Sequence, residues 1–391
     1  MEIELWWLLV LPLFFALGWL AARVDIRQVV IESRLLPASY FKGLNFLLNE
    51  QPDKAIEAFI EVVNVNPQTI ELHFALGSLF RRRGEVERAI RMHQHLAERE
   101  DLGQDQKLQA LLELAQDYLK AGLLDRAEDY FSKLDGTAHA EIALGFLLEI
   151  YEQEKEWRRA IATAERLEVV GGRSLQKEIA NFLCELAERE LMQSRPEAAR
   201  PLLLEALQHH RLCVRANLLL GDVEKLNGKL LAAITAWQQI ESQSPIHLTL
   251  IAERLYAAYR DLQRPEEGLQ VLRVFLEKYP STDLLETAYQ ATLSIQGVTQ
   301  AYQLVRDEVR RTPTLLGLDK LLEVQLLEVS AERRNDLELA KQLIHQHTRN
   351  LAMYKCGHCG FRARQFYWHC PACSEWETYS PKRIEEKGLP A

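Results

Sequence analysis

Three observations on this 391-residue chain predict an all-α fold. An uncharged apolar run covers Leu5–Ala22. A small residue recurs with a period of about 34 from Ala55 to Ala301. Two Cys-x-x-Cys pairs, Cys356 with Cys359 and Cys370 with Cys373, lie near the C-terminus. Together they predict a superhelical solenoid of paired helices, preceded by a transmembrane helix and followed by a small metal-binding module. The predicted boundaries are 1–23 for the anchor, 24–35 for a juxtamembrane linker, 36–350 for the array and 351–391 for the module.

The first segment reads Leu-Trp-Trp-Leu-Leu-Val-Leu-Pro-Leu-Phe-Phe-Ala-Leu-Gly-Trp-Leu-Ala-Ala. As a helix it would be about 27 Å long, close to the hydrocarbon thickness of a bilayer. Trp6 and Trp7 at one end and Trp19 near the other suit the two interfaces, and Pro12 is tolerable in a membrane helix. A cleaved signal peptide would need a basic leader, whereas Glu2 and Glu4 precede the run without Lys or Arg. Arg23, Arg27 and Arg34 follow it, which places the C-terminal side in the cytoplasm. Gly18 and Ala22 are four residues apart, a spacing that lets another helix approach and allows a homodimer.

From residue 36 the chain repeats itself. Ala55, Ala89, Ala127, Ala160, Ala199, Ala233, Gly268 and Ala301 fall in phase, and a degenerate ninth unit places Ala340 in the same slot. This is the period of the tetratricopeptide helix–turn–helix unit. Gly43, Gly77, Ala115, Ala187 and Gly221 precede the aligned residue by twelve, where the first helix of each unit must be closely approached. Tyr118, Tyr151 and Tyr259 precede it by nine, with Phe46 and Phe80 equivalent. Phe59, Phe131, Leu203, Trp237 and Leu272 follow it by four, and Pro67, Pro245, Pro280 and Pro313 by twelve, where the second helix should stop. Arrays of this type present a groove lined by first helices and suited to a peptide or a partner helix. Arg81-Arg82-Arg83 ends a first helix, where cations suit the carbonyl terminus. It reads as a solvated face, with holding an acidic segment as the alternative. His93 falls in the slot of Phe59 and Trp237 and reads as a packed side chain.

The C-terminal cysteines carry the chemistry. Each pair presents two sulfurs on one tight turn, and two such turns supply four thiolates in a tetrahedron. Cys356, Cys359, Cys370 and Cys373 are therefore the predicted ligands of one zinc or iron ion. His358 and His369 adjoin them and are not expected to bind metal. The module is too short for an ordinary apolar core, so the metal must supply much of its folding energy. Its aromatic residues, Tyr354, Phe361, Phe366, Tyr367, Trp368, Trp376 and Tyr379, read as a small core around the metal, or in part as a docking surface for the last repeats or a partner. Cys184 and Cys213, far from this cluster, read as buried core residues.

No phosphate loop, nucleophile elbow or His-Glu-x-x-His motif is present, and a non-enzymatic protein is predicted. A net charge of −9 argues against nucleic acid as a partner.

The combination resembles the lipopolysaccharide assembly protein B family of Gram-negative bacteria, whose C-terminal module is called rubredoxin-like. The resemblance is carried by Gly77–Arg91, by Ala121–Asp129, by Cys356-Gly357-His358-Cys359-Gly360-Phe361 and by Tyr367-Trp368-His369-Cys370-Pro371. It implies a non-enzymatic adaptor in the bacterial inner membrane, single-pass, with its C-terminal domain on the cytoplasmic side. Such an adaptor promotes degradation of the lipid A pathway UDP-3-O-acyl-N-acetylglucosamine deacetylase by a membrane AAA+ zinc protease. An inner-membrane sensor protein relieves that restraint, and other lipopolysaccharide assembly proteins are implied as partners. A scaffold that assembles lipopolysaccharide synthesis and export proteins is one alternative, and a rubredoxin-type electron carrier another. Ser374 departs from the rubredoxin pattern, where glycine follows the last cysteine, and the arm between the pairs is shorter. Both argue against iron-based electron transfer.

Overall fold

The structure is a computed structural model that describes residues 38–49, 51–65, 70–349, 351 and 353–385. The anchor, the linker and Pro67 lie outside the described residues. Among the described residues no helix is long and apolar enough to cross a membrane. Eighteen α-helices are described, and the chain divides into two compact units, residues 1–150 and 151–391.

The first unit holds α1 (Ala38–Leu48), α2 (Pro52–Val65), α3 (Ile70–Arg82), α4 (Val86–Glu98), α5 (Gln104–Lys120), α6 (Leu124–Ser132) and most of α7 (Ala140–Gln153). Successive helices pair as first and second members of a repeat. Ala55, Ala89 and Ala127 on the second helices are fully buried, as the phase predicts. Four residues on, Phe59 and His93 lie under Gly43 and Gly77. A Cβ on Gly77 would lie 2.3 Å from His93 Nε2, so the small residue is required by the ring seated there rather than by a neighbouring backbone.

His93 is packed, as expected, and its Nδ1 is 2.5 Å from Asp117 Oδ2, with both side chains fully buried. Arg81 corrects the reading of its run as a solvated face. Its guanidinium bonds Asp117 Oδ1 at 2.8 Å and Glu113 Oε2 at 2.6 Å on the first helix of the next repeat. A buried carboxylate such as Asp117 requires a fixed cation, and Arg81 supplies it. Arg82 remains exposed, and Arg83 pairs with Asp53 at 2.7 Å.

The second unit holds the end of α7, then α8 (Trp157–Gly171), α9 (Gln176–Met192), α10 (Pro196–His209), α11 (Val214–Leu226), α12 (Leu230–Gln243) and a 3₁₀ turn (Pro245–His247). It continues with α13 (Leu248–Asp261), α14 (Pro265–Lys278), α15 (Thr282–Gln296), α16 (Val298–Arg311), α17 (Leu315–Glu328) and α18 (Ala331–Thr348). Pro245, Pro280 and Pro313 each follow the end of a second helix, because a proline cannot continue the ladder. Ala160, Ala199, Ala233 and Ala301 are fully buried, whereas Ala340 of the degenerate ninth pair is half-buried. Trp237 fills the space over Gly221, where a Cβ would lie 2.1 Å from its Nε1. That nitrogen donates to the Leu218 carbonyl at 3.0 Å.

Two features of the repeat escape the sequence pattern. Five residues before the aligned position the chain turns through the left-handed region, with φ of 79° at Gly84, 74° at Gly122, 58° at Lys155, 58° at Ser194, 75° at Gly228 and 61° at Gln263. The next amide then closes back on the first helix, as in Glu85 N–H to Phe80 O and Leu123 N–H to Tyr118 O, both 2.9 Å. One residue before the aligned position, Arg88 and Arg159 lay their guanidinium groups over Phe80 and Tyr151, 4.0 Å and 4.2 Å from the ring centroids. These stacks fasten the second helix of a pair to the first.

Candidate metal centre

After α18 the chain forms a small ribbon. Strand β1 (Tyr354–Lys355) pairs antiparallel with β2 (Arg362–Ala363), and isolated bridges join Cys356 to Tyr379 and His369 to Trp376. Between the strands the chain makes one knuckle, in which the Gly360 amide donates to the Cys356 carbonyl at 3.2 Å. The second knuckle repeats it, with the Ser374 amide donating to the Cys370 carbonyl at 2.9 Å. Gly360 and Ser374 occupy the same place in the two turns, and both are left-handed, with φ of 80° and 55°. This explains why glycine suits that position and why Ser374 is a departure.

The knuckles bring the four thiols together. Cys356 Sγ is 3.9 Å from Cys373 Sγ and Cys359 Sγ is 3.8 Å from Cys370 Sγ, and all four sulfurs lie within 4.8 Å of one another. A tetrahedron with metal–sulfur bonds of about 2.3 Å has edges of about 3.8 Å, so the donor set fits one ion. Cys356 and Cys370 are buried, whereas Cys373 is partly buried and Cys359 is exposed, so the site opens to one side.

The electrostatics call for a cation. Burial raises the Cys356 thiol, but the Thr378 hydroxyl at 3.2 Å and the amides of Cys359 and His358 outweigh it and hold the group at about 6. Burial and the neighbouring thiols push Cys373 up to about 12. Four thiolates cannot share so small a volume without positive charge at its centre. A bound ion supplies that charge, and its four sulfurs leave no open position for substrate. His358 and His369 are not among the clustered donors. His369 instead bonds the Ser374 carbonyl at 2.9 Å and stacks on Trp376, with ring centroids 4.3 Å apart.

The ribbon is seated on the repeats. Trp376 stands edge-on to Trp157 and Phe182, with centroids 6.1 Å and 5.8 Å away, and its Nε1 donates to Glu152 Oε2 at 3.3 Å. Glu377 accepts from Asn181 Nδ2 at 3.0 Å and pairs with Lys177 at 3.0 Å. Trp368 stacks on His247, 5.7 Å between centroids and 10° from parallel. Arg383 binds Asp283 through two parallel contacts of 2.9 Å and 3.0 Å, and the Tyr354 hydroxyl donates to the same carboxylate at 3.3 Å. Beyond it, Glu385 accepts the amides of Leu315 at 2.5 Å and Leu316 at 3.0 Å, at the N-terminus of α17.

Asn181, Arg215 and Asp283 share one register position, eighteen residues before Ala199, Ala233 and Ala301, on three first helices. Arg215 lies over the Trp376 ring at 5.8 Å. Docking on the last repeats was one expectation for the aromatic residues. The structure moves it, because Trp376 reaches back to α8 and α9, where Trp157 and Phe182 offer an aromatic seat. Cys184 and Cys213 are buried, as expected, with Cys213 at the N-cap of α11 rather than within a helix.

Fold and site thus define a class: a tetratricopeptide repeat protein whose own four-cysteine ribbon is docked on its first helices. The model of the rubredoxin metal binding domain matches residues 354–381, and tetratricopeptide repeat models match 72–106 and 184–245. A lipopolysaccharide assembly protein B from Escherichia coli K12 is 34% identical over 378 residues, covering 96% of this chain and 97% of its own. Another, from Haemophilus influenzae, is 30% identical over 396 residues, covering 98% and 99%. The chain belongs to the lipopolysaccharide assembly protein B family. A solved tetratricopeptide repeat protein from Parabacteroides merdae covers 73% of this chain at 13% identity with a TM-score of 0.33, a superposition too loose to add to the repeat phase.

Proposed function

We propose that this protein is a non-enzymatic adaptor that regulates lipopolysaccharide assembly, and that the family membership carries this reading. Relatives of nearly the same length bear that name, and a repeat array with a closed metal site has the chemistry of a binding platform rather than of a catalyst. In this reading residues 1–23 anchor the chain in the bacterial inner membrane and 24–35 link the anchor to the array at 36–350, on the cytoplasmic side. Residues 351–391 form the module, in which Cys356, Cys359, Cys370 and Cys373 hold zinc. The array presents the UDP-3-O-acyl-N-acetylglucosamine deacetylase of the lipid A pathway to a membrane AAA+ protease, and an inner-membrane sensor protein opposes this. Tethering raises the effective concentration of array and client beside a membrane-bound protease.

Deleting Leu5–Ala22 tests the reading. The truncated protein should fold and still bind metal, while the half-life of the deacetylase in cells lengthens severalfold. An unchanged half-life would reject the tethered adaptor. Co-purification of the deacetylase with the full chain, without any effect on its half-life, would favour a scaffold instead. A visible iron–thiolate band that bleaches reversibly on reduction would favour an electron carrier.

A further inference from the structure

Neither the metal site nor the repeat packing uses a partly open cavity of about 100 Å³ in the second unit. Its walls come from the 3₁₀ turn and the start of α13, the start of α15, the last turn of α16 and the first turn of α17. Ile246, Leu284, Leu285 and Val309 make it largely apolar, Thr249 adds a hydroxyl, and Lys382 of the ribbon tail lines one edge of the wall.

The other charged groups around it, and most of its hydroxyls, are already engaged. Glu308 accepts from Thr312 Oγ1 at 2.8 Å and pairs with Arg311 at 2.7 Å. Thr314 Oγ1 accepts the Gly317 amide at 2.9 Å, Ser281 Oγ accepts the Leu284 amide at 3.3 Å, and Lys278 pairs with Glu241 at 3.2 Å. Lys382 differs. It is half-buried, and its ammonium has no ion pair or side-chain hydrogen bond among the described residues. A largely apolar cavity lined by an uncompensated ammonium is complementary to an apolar body that carries one negative charge.

We propose that this cavity is a binding site for a small amphipathic monocarboxylate, with its apolar body among Ile246, Leu284, Leu285 and Val309 and its carboxylate on Lys382. The volume limits the body. An apolar cavity of about 150 Å³ holds benzene, so about six carbons is the upper bound here. The ligand would also act on the ribbon. Lys382 adjoins Arg383, whose pair with Asp283 fastens the tail to α15, so an occupied cavity adds a second tie between tail and repeats.

The test is calorimetric titration of the full, metal-loaded chain in detergent with hexanoate and benzoate, beside the neutral 1-hexanol and benzyl alcohol. Saturable one-to-one binding of the carboxylates is expected, about tenfold tighter than the matching alcohols. Lys382→Gln should reduce carboxylate affinity to that of the alcohols. Thr249→Phe and Val309→Phe, which fill the cavity from different walls, should each abolish binding of both, with native helicity confirmed by circular dichroism. The proposal is overturned if neither carboxylate saturates, if Lys382→Gln leaves carboxylate affinity unchanged, or if a folded cavity-filling variant binds as the parent does.

Discussion

At the residue scale, the two knuckles show how one side chain can depart from a pattern while the site survives. Ser374 holds the left-handed turn that Gly360 holds in the other knuckle, and an L side chain there carries a backbone penalty of about 1 kcal/mol. Ser374→Gly should therefore stabilise the ribbon by up to about 1 kcal/mol, read as a higher chelator concentration needed to unfold it. The thiols make a second prediction. With Cys356 held at about 6 and Cys373 pushed up to about 12, the metal-free site keeps at least one proton at pH 7. Metal uptake must displace it, so affinity falls as pH falls. Calorimetry in buffers of different ionisation enthalpy should show proton release on binding, and uptake with no proton release at pH 7 would contradict this. Cys356→Ser should lower metal content and unfold the ribbon, because the remaining three sulfurs no longer close the tetrahedron. All four ligands were legible in the sequence because the pairs are local. The penalty at Ser374 was not, because it depends on a backbone angle that spacing does not reveal.

At the element scale, stability rests on a small residue of one helix facing a large one of the next. Gly221→Ala would drive a methyl into Trp237 and should cost about 1–3 kcal/mol. Combined with Trp237→Ala the same methyl meets open space, so a double-mutant cycle in chemical denaturation should show strong non-additivity. Additive losses would mean that the two do not touch. The ribbon brings its own element contact in Trp368 against His247. Burial holds that imidazole at about 4, against the opposing Glu377 carboxylate. Because the folded value lies below the ordinary one near 6.5, the neutral ring contributes its full stability above pH 6.5 and loses it as pH falls toward 4. His247→Phe should flatten the change in tryptophan fluorescence across that window relative to the parent. The period, the small slot and the proline stops were legible because each recurs at fixed spacing. The left-handed turn was half-legible. Gly84, Gly122 and Gly228 mark it, whereas Lys155, Ser194 and Gln263 occupy the same angle and hide the column.

At the scale of the whole molecule, the ribbon covers a row of polar residues that a bare array would offer to another protein. The contacts that seat it join residues 224 apart for Trp376 with Glu152, 196 apart for Glu377 with Asn181 and 100 apart for Arg383 with Asp283. No local pattern encodes such pairs. The sequence shows a dense aromatic module and a repeat register, and only the fold shows that Trp376 meets Trp157 and Phe182 while Asn181, Arg215 and Asp283 align beneath it. If docking depends on these contacts rather than on the metal alone, the two can be separated. Trp376→Ala removes the aromatic wedge, and Asp283→Ala removes the carboxylate shared by Arg383 and Tyr354. Neither touches a cysteine. The double variant should bind one equivalent of metal as the parent does, yet expose residues 351–385 to limited proteolysis at least tenfold faster, with the helical array intact by circular dichroism. Loss of metal in that variant would mean that the ribbon cannot fold without its seat. An unchanged cleavage rate would mean that the remaining ties, Trp368 on His247, Glu377 on Asn181 and Lys177, and Glu385 on the α17 amides, hold it in place alone. Faster cleavage with the metal retained would make docking a property of the interface, and the face it covers a surface that the protein can offer or withhold.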